Sequence, residues 1–215
     1  MHETTPLSGS RLTVPACRLF RLRPTPAASI HPMNPAPNLI FIGPMGAGKT
    51  TVGRHVADLL AMPFRDLDHE IEVHTGAAIS LVFDLEGEAG FRRREAATLA
   101  ELAAVSGIVL STGGGAVLDE GNRRVLRERG FVIWLDATIE AQLARLARDR
   151  QRPLLKAPDR RARLEHLASE RNPLYAEIAD LRIASAGTGN SAYTARQIVT
   201  LLETRWQRGE TGAAA

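Results

Sequence analysis

Apolar residues in this chain fall into short continuous runs that alternate with longer stretches of helical spacing, and the alternation begins at Asn38. Asn38-Leu-Ile-Phe-Ile42 is a run of strand length, apolar after its first residue, as a strand buried on both faces requires. From Thr51 to Leu60 the apolar positions Val52, Val56, Leu59 and Leu60 share one helical face. A second short strand is predicted at Phe64-Arg-Asp-Leu67, then helical pattern from Asp68 to His74, ended by Gly76. Two further helices are expected, one around Ile79–Leu85 and a longer one from Glu88 to Val105. Ile108–Ser111 reads as a strand feeding Gly113-Gly114-Gly115. A polar helix over Asp119–Arg129 stops at Gly130, and Phe131–Leu135 is a buried strand. Helices over Ile139–Asp149 and Arg161–Ala179, a strand at Leu181–Ala184, a glycine-rich turn at Gly187–Asn190 and a last helix to Trp206 complete the series. Strands separated by helices predict an α/β fold, with a parallel sheet of about five strands flanked by helices.

The turn between the first strand and the first helix carries chemistry. Gly43-Pro-Met-Gly46-Ala47-Gly48-Lys49-Thr50 is a complete phosphate-binding loop, and strand–loop–helix is the setting that gives it a mechanism. Glycines let backbone N–H groups turn toward phosphate oxygens, and the helix N-terminus adds the positive end of its dipole. Lys49 is expected to reach the outer phosphates of ATP, and the Thr50 hydroxyl to coordinate Mg²⁺. Lysine is scarce here: of 27 basic residues only Lys49 and Lys156 are lysines. A chain that writes arginine almost everywhere keeps a compact ammonium at the loop position, where a planar fork would serve poorly.

Length and charge narrow the class. The 215 residues suit one domain with a substantial core. The single Cys17 excludes an internal disulfide framework and a cysteine zinc site, and fits a reducing cytoplasm. No apolar run approaches the length of a membrane span, so no membrane partner is expected. The net charge of +3 resides in residues 1–37, where Arg11, Arg18, Arg21 and Arg23 face only Glu3. The remaining residues hold 23 basic and 23 acidic side chains, so the body has no field to attract nucleic acid. Seven prolines and no sustained apolar period mark residues 1–37 as a disordered extension. A start at Met33 is a second reading, and an organelle transit segment a third. The tail at 209–215 is expected to fray.

Three clusters address the phosphate acceptor. Asp66 and Asp68 stand two apart at the predicted end of the second strand, hence on one side, where ligands of open α/β sheets bind. One carboxylate is suited to the metal and the other to the acceptor hydroxyl; the plainer reading makes Asp68 the cap of the next helix. Arg92-Arg93-Arg94 lie within a predicted helix, about 100° apart, so at most one or two face a site. The rest are expected in solvent or paired with Glu88 and Glu95. Gly113-Gly114-Gly115 exposes backbone to close approach, or else makes a tight turn. The stretch 149–159, with Arg152-Pro-Leu-Leu155, reads as a mobile lid over ATP or as an idle loop.

Taken together these residues resemble the shikimate kinase family. The matching segments are Gly43–Thr50, Asp66/Asp68, Phe83-Asp-Leu-Glu-Gly-Glu88 leading to Phe91-Arg92, Gly113–Gly115, Arg152-Pro-Leu-Leu155 and Arg171-Asn-Pro-Leu-Tyr175. They run in family order over residues 38–206, within an expected domain of 38–208. The resemblance implies a three-layer P-loop kinase fold and ATP-dependent phosphorylation of the 3-hydroxyl of shikimate, a step toward chorismate and the aromatic amino acids. It also implies that Gly46, Ala47, Gly48, Lys49, Thr50 and Thr51 hold the nucleotide phosphates, with Thr50 and Asp66 at Mg²⁺. Arg145 is expected at the nucleotide base and Arg152 at the transferring phosphate. Asp68 would meet the reacting hydroxyl, Arg92 and Arg171 would clamp the carboxylate, and Gly113, Gly114 and Gly115 would border the ring. A monomer is expected. Gluconate and nucleoside monophosphate kinases share the loop but are not expected to share the Asp68, Arg92, triple-glycine and Arg171 set. A GTPase-like switch is suggested by Asp84-Leu-Glu-Gly87 alone, without a guanine-reading motif after it.

Overall fold

The computed structural model describes residues 36–147, 159–185 and 190–207. Five parallel strands lie in the order β2-β3-β1-β4-β5: β1 (Asn38–Ile42), β2 (Phe64–Asp66), β3 (Val109–Ser111), β4 (Gly130–Asp136) and β5 (Leu181–Ala184). The helices are α1 (Lys49–Leu60), α2 (Leu67–Thr75), α3 (Ile79–Ala104), α4 (Glu120–Arg129), α5 (Ile139–Leu146), α6 (Arg160–Ile178) and α7 (Ser191–Arg205). A 3-10 turn at Ala116–Leu118 follows β3.

The sheet sorts its side chains by the period of two that any strand imposes. Leu39 and Phe41 of β1, with Phe131, Ile133 and Leu135 of β4, pack on the side covered by α1 and α7. Ile40 and Ile42, with Val132 and Trp134, pack on the opposite side with residues of α2, α3, α4 and α6. Both faces are covered, which explains why β1 and β4 read as unbroken apolar runs. The buried Asn38 is fully engaged: its Nδ2 donates to Val105 O at 2.8 Å, and its Oδ1 accepts from Ile108 N at 3.0 Å. That pair fixes the end of α3 against the start of β1.

Chain order also places the site. From β1 the chain runs outward to β2, returns to β3 beside β1, then crosses to β4 on the other side. The carboxyl ends of β1, β3 and β2 therefore deliver the phosphate loop, the triple-glycine loop and the Asp66/Asp68 pair to one edge, beside the switch point where such sheets bind ligands.

Several boundaries differ from the sequence reading. Leu67 begins α2 and does not end β2, because Asp66 Oδ1 caps the helix by accepting from the N–H groups of Asp68 and His69. The cap is thus Asp66, and Asp68 is released from that role. The two helices expected on either side of Gly87 form one long element with an elbow at that residue. Leu59, predicted on the buried face of α1, is half exposed, while Val52 and Val56 are buried. Ala36, read as part of the extension, is buried, and its carbonyl accepts from Trp206 Nε1 at 2.8 Å, so packing begins two residues earlier than expected. Residues 1–35 of the extension, the tail from 208, and the expected lid up to residue 158, Arg152 included, lie outside the described residues. Asp159 is the N-cap of α6, accepting from Ala162 N at 3.0 Å.

Candidate active site

The nucleotide half of the site is built from the exit of β1. Gly48 is the N-cap of α1 and offers no side chain to cap it, which leaves this helix N-terminus suited to an anion. No acidic residue in that turn opposes an anion. Lys49 is buried and its Nζ donates to Gly43 O at 2.8 Å and Pro44 O at 2.9 Å. Its ammonium is thereby held against the loop as a compact positive charge. On the outer side Arg145 Nη1 donates to Gly46 O at 2.8 Å and to Ser185 Oγ at 2.9 Å.

Thr50 and Asp66 meet as the sequence suggested: the Thr50 hydroxyl donates to Asp66 Oδ2 at 2.7 Å. Since Oδ1 serves the helix cap, Oδ2 is the carboxylate oxygen turned toward the loop. A hydroxyl and a carboxylate oxygen side by side are hard donors of the type Mg²⁺ prefers, so these residues fit that ion. Among the described residues no cluster of three or more His, Cys, Asp or Glu side chains offers a competing metal site.

The acceptor half is organised around the three glycines, each of which gives way to a different group. A Cβ on Gly113 would lie 2.8 Å from Glu95 Oε1 and 2.9 Å from Asp68 Oδ1. One on Gly114 would approach Met45 N, in the phosphate loop, to 3.3 Å, and one on Gly115 would overlap the Arg92 guanidinium. The triplet is therefore no plain turn. It is the surface on which Asp68, Arg92, Glu95 and the phosphate loop converge.

Of the three consecutive arginines only Arg92 reaches this surface. Its Nη1 donates to Glu95 Oε2 at 2.6 Å and its Nη2 to Glu88 Oε1 at 3.0 Å. Arg93 is exposed, and Arg94 pairs with Glu86. Burial pushes the Glu95 carboxyl above its usual range, although the Arg92 charge pulls against it; Asp68 adds to the rise and Arg171 opposes it. Burial alone would lower Arg92, but Glu95 and Glu88 outweigh it and leave the guanidinium more firmly charged than usual. Glu95 is 1% exposed and was read from sequence only as a helix-spaced partner. Its site role rests on contacts with α2 and the β3 loop, which local spacing does not reveal.

Arg171 joins from α6. It is buried, and Tyr175 one turn later donates its hydroxyl to Gly114 O. Burial raises the Tyr175 hydroxyl far above the ordinary phenol range, so it remains a donor that ties α6 to the glycine loop. Arg92 Nε, Glu95 Oε1 and Arg171 Nε are buried without a hydrogen-bond partner in the protein. Buried polar atoms are seldom left so. Two cationic donors and a carboxylate acceptor around one loop suit a ligand that carries both a carboxylate and hydroxyls.

Fold and site together define a P-loop kinase in which Asp68, Arg92, Glu95 and Arg171 gather around a second loop beside the phosphate loop. Comparison with known proteins narrows the class. The family profile described as "Shikimate kinase" matches residues 45–203. A shikimate kinase of Xanthomonas campestris pv. campestris is 49% identical over 181 residues, 84% of this chain and 100% of that protein. One from Shewanella denitrificans is 53% identical over 77% of this chain and 96% of its own length. The solved structure of the Acinetobacter baumannii shikimate kinase in complex with shikimate superposes with a TM-score of 0.76 at 45% identity, covering 80% of this chain and 96% of that one. The chain belongs to the shikimate kinase family.

Proposed function

We propose that this protein transfers the γ-phosphoryl group of ATP to the 3-hydroxyl of shikimate, forming shikimate 3-phosphate on the route to chorismate and the aromatic amino acids. The observation that carries this reading is the meeting of two loops: Gly114 lies against Met45 of the phosphate loop while its neighbours face Asp68, Glu95 and Arg92. A transferable phosphate and a carboxylated polyol thereby share one edge of the sheet.

Each residue has a role. Gly46, Ala47, Gly48, Lys49, Thr50 and Thr51 hold the phosphates through the loop and the first turn of α1, and Arg145 borders the nucleotide from α5. Arg92 and Arg171 take the shikimate carboxylate as a charge-assisted pair of forks. The Gly113–Gly115 loop lets the ring approach the main chain. Asp68 receives the proton of the 3-hydroxyl as its oxygen bonds to the γ-phosphorus and the bond to the ADP oxygen breaks. Lys49 carries the charge that builds on the phosphoryl oxygens, a role the family resemblance also implies for Arg152, which lies outside the described residues. Thr50 and Asp66 would hold Mg²⁺, which would supply charge neutralisation on the phosphates. Catalysis here is positioning more than covalent chemistry, since phosphoryl transfer asks little else of a protein.

The proposed setting is a cytoplasmic monomer, in keeping with a single cysteine. Among the described residues no helix is long and apolar enough to cross a membrane. A coupled assay of ADP release with shikimate, gluconate or a nucleoside monophosphate tests the reading. Release that depends on shikimate supports it; equal release with gluconate, or without any acceptor, overturns it.

A further inference from the structure

Behind the phosphate loop lies a buried hydroxyl that no nucleotide motif includes. Ser185 follows β5, is 8% exposed, and has its own N–H fixed on Asp136 O at 2.6 Å, at the end of β4. Its side chain is engaged twice: Oγ donates to Ala47 O at 2.8 Å and accepts from Arg145 Nη1 at 2.9 Å. The same Arg145 atom also holds Gly46 O. Two successive loop carbonyls are thus gripped from the outer side by one small network.

Peptide planarity turns that grip into an orientation. In a trans peptide the C=O and the following N–H point in opposite directions. Holding Ala47 O on Ser185 therefore aims Gly48 N–H to the opposite side, away from Ser185. Without the hydroxyl little else would hold that plane, because Gly48, at φ 91°, has no side chain to resist rotation of the Ala47–Gly48 peptide. The geometry points to Ser185 as a positioning residue for the nucleotide: it presets the Gly48 N–H for phosphate by pinning the preceding carbonyl. The inference rests on the nucleotide half of the proposed function and is independent of which acceptor is used.

The test is calorimetric titration of MgADP, and separately of shikimate, into the full-length wild-type protein and the Ser185→Ala and Ser185→Thr variants. Loss of one buried hydrogen bond and of one preset donor predicts MgADP binding about five- to tenfold weaker in Ser185→Ala. Shikimate affinity should stay unchanged. Ser185→Thr keeps the hydroxyl and should restore MgADP binding to within about twofold of wild type. A merely structural serine would weaken both ligands together and would not be rescued by threonine. Unaltered MgADP affinity in Ser185→Ala overturns the inference while leaving the kinase reading intact. Failure of the wild-type protein itself to bind MgADP overturns both.

Discussion

Glu86 and Arg94 grip one another across the elbow at Gly87, with Arg94 Nε 2.8 Å from Glu86 Oε2 and its Nη2 on Oε1. Residues eight apart on a straight helix would be separated by about 12 Å along the axis, so the pair depends on the bend. Phe83 and Phe91 stack across the same elbow at 4.5 Å, and Gly90 leaves room for the Glu86 side chain. The elbow sets where Glu88 and Arg92 emerge, which makes it part of the proposed acceptor site.

Gly87 holds φ 67° and ψ −179°, a conformation that residues with a side chain rarely adopt. Gly87→Ala is expected to destabilise the protein by about 1–3 kcal/mol. It should also raise KM for shikimate and leave KM for ATP nearly unchanged. Thermal melts and initial-rate kinetics check this; an equal rise in both KM values would detach the elbow from the acceptor.

Gly113→Ala places a methyl group against the carboxylates of Asp68 and Glu95. Glu95 is buried and cannot swing away without losing Arg92. Shikimate binding is expected to weaken by about tenfold or more, the equivalent of 1.4 kcal/mol, in a protein that still binds MgADP. Equilibrium titration of each ligand provides the check.

Arg92→Ala removes the partner of a buried carboxylate as well as half of the proposed clamp. Because Arg92 keeps a fifth of its side chain in solvent, the stability loss should fall at the lower end of that for broken buried pairs, about 3 kcal/mol. Urea midpoints measure it. Arg92→Ala/Glu95→Gln should recover part of the stability but none of the shikimate affinity, which separates the two roles.

Glu95 also predicts a pH dependence. Its carboxyl is raised above the ordinary 4.5 by burial, so the folded state holds its proton more tightly than the unfolded chain does. That contribution to stability is fully present below the ordinary value and is lost as pH rises through the higher, folded one. The stability of the wild-type protein relative to Glu95→Gln should therefore fall as pH rises above the ordinary 4.5. A difference that instead grew with pH would mean that Arg92 dominates over burial.

Sequence resolved the parts of this molecule whose signal is local. β1 and β4 are unbroken apolar runs because both faces of the sheet are covered, and the phosphate loop announces itself between β1 and α1. The family resemblance implies one metal for Thr50 and Asp66, and the two side chains lie in hydrogen-bond contact. What escaped depended on contacts distant along the chain. Asp66 and Asp68 are equally able to cap a helix, and only the fold shows that Asp66 is the one that does so. Glu95 looked like any surface partner at helical spacing until α2 and the β3 loop closed over it. Ser185 bonds a carbonyl 138 positions earlier, and an isolated serine after a strand gives no hint of that.

The most direct measurement is a crystal structure with shikimate and a non-hydrolysable ATP analogue bound together. The account predicts the shikimate carboxylate between Arg92 and Arg171, the ring against Gly113–Gly115, and the 3-hydroxyl at Asp68 pointing to the γ-phosphate. Shikimate seated with its carboxylate away from both arginines, or beyond reach of the nucleotide, would contradict it.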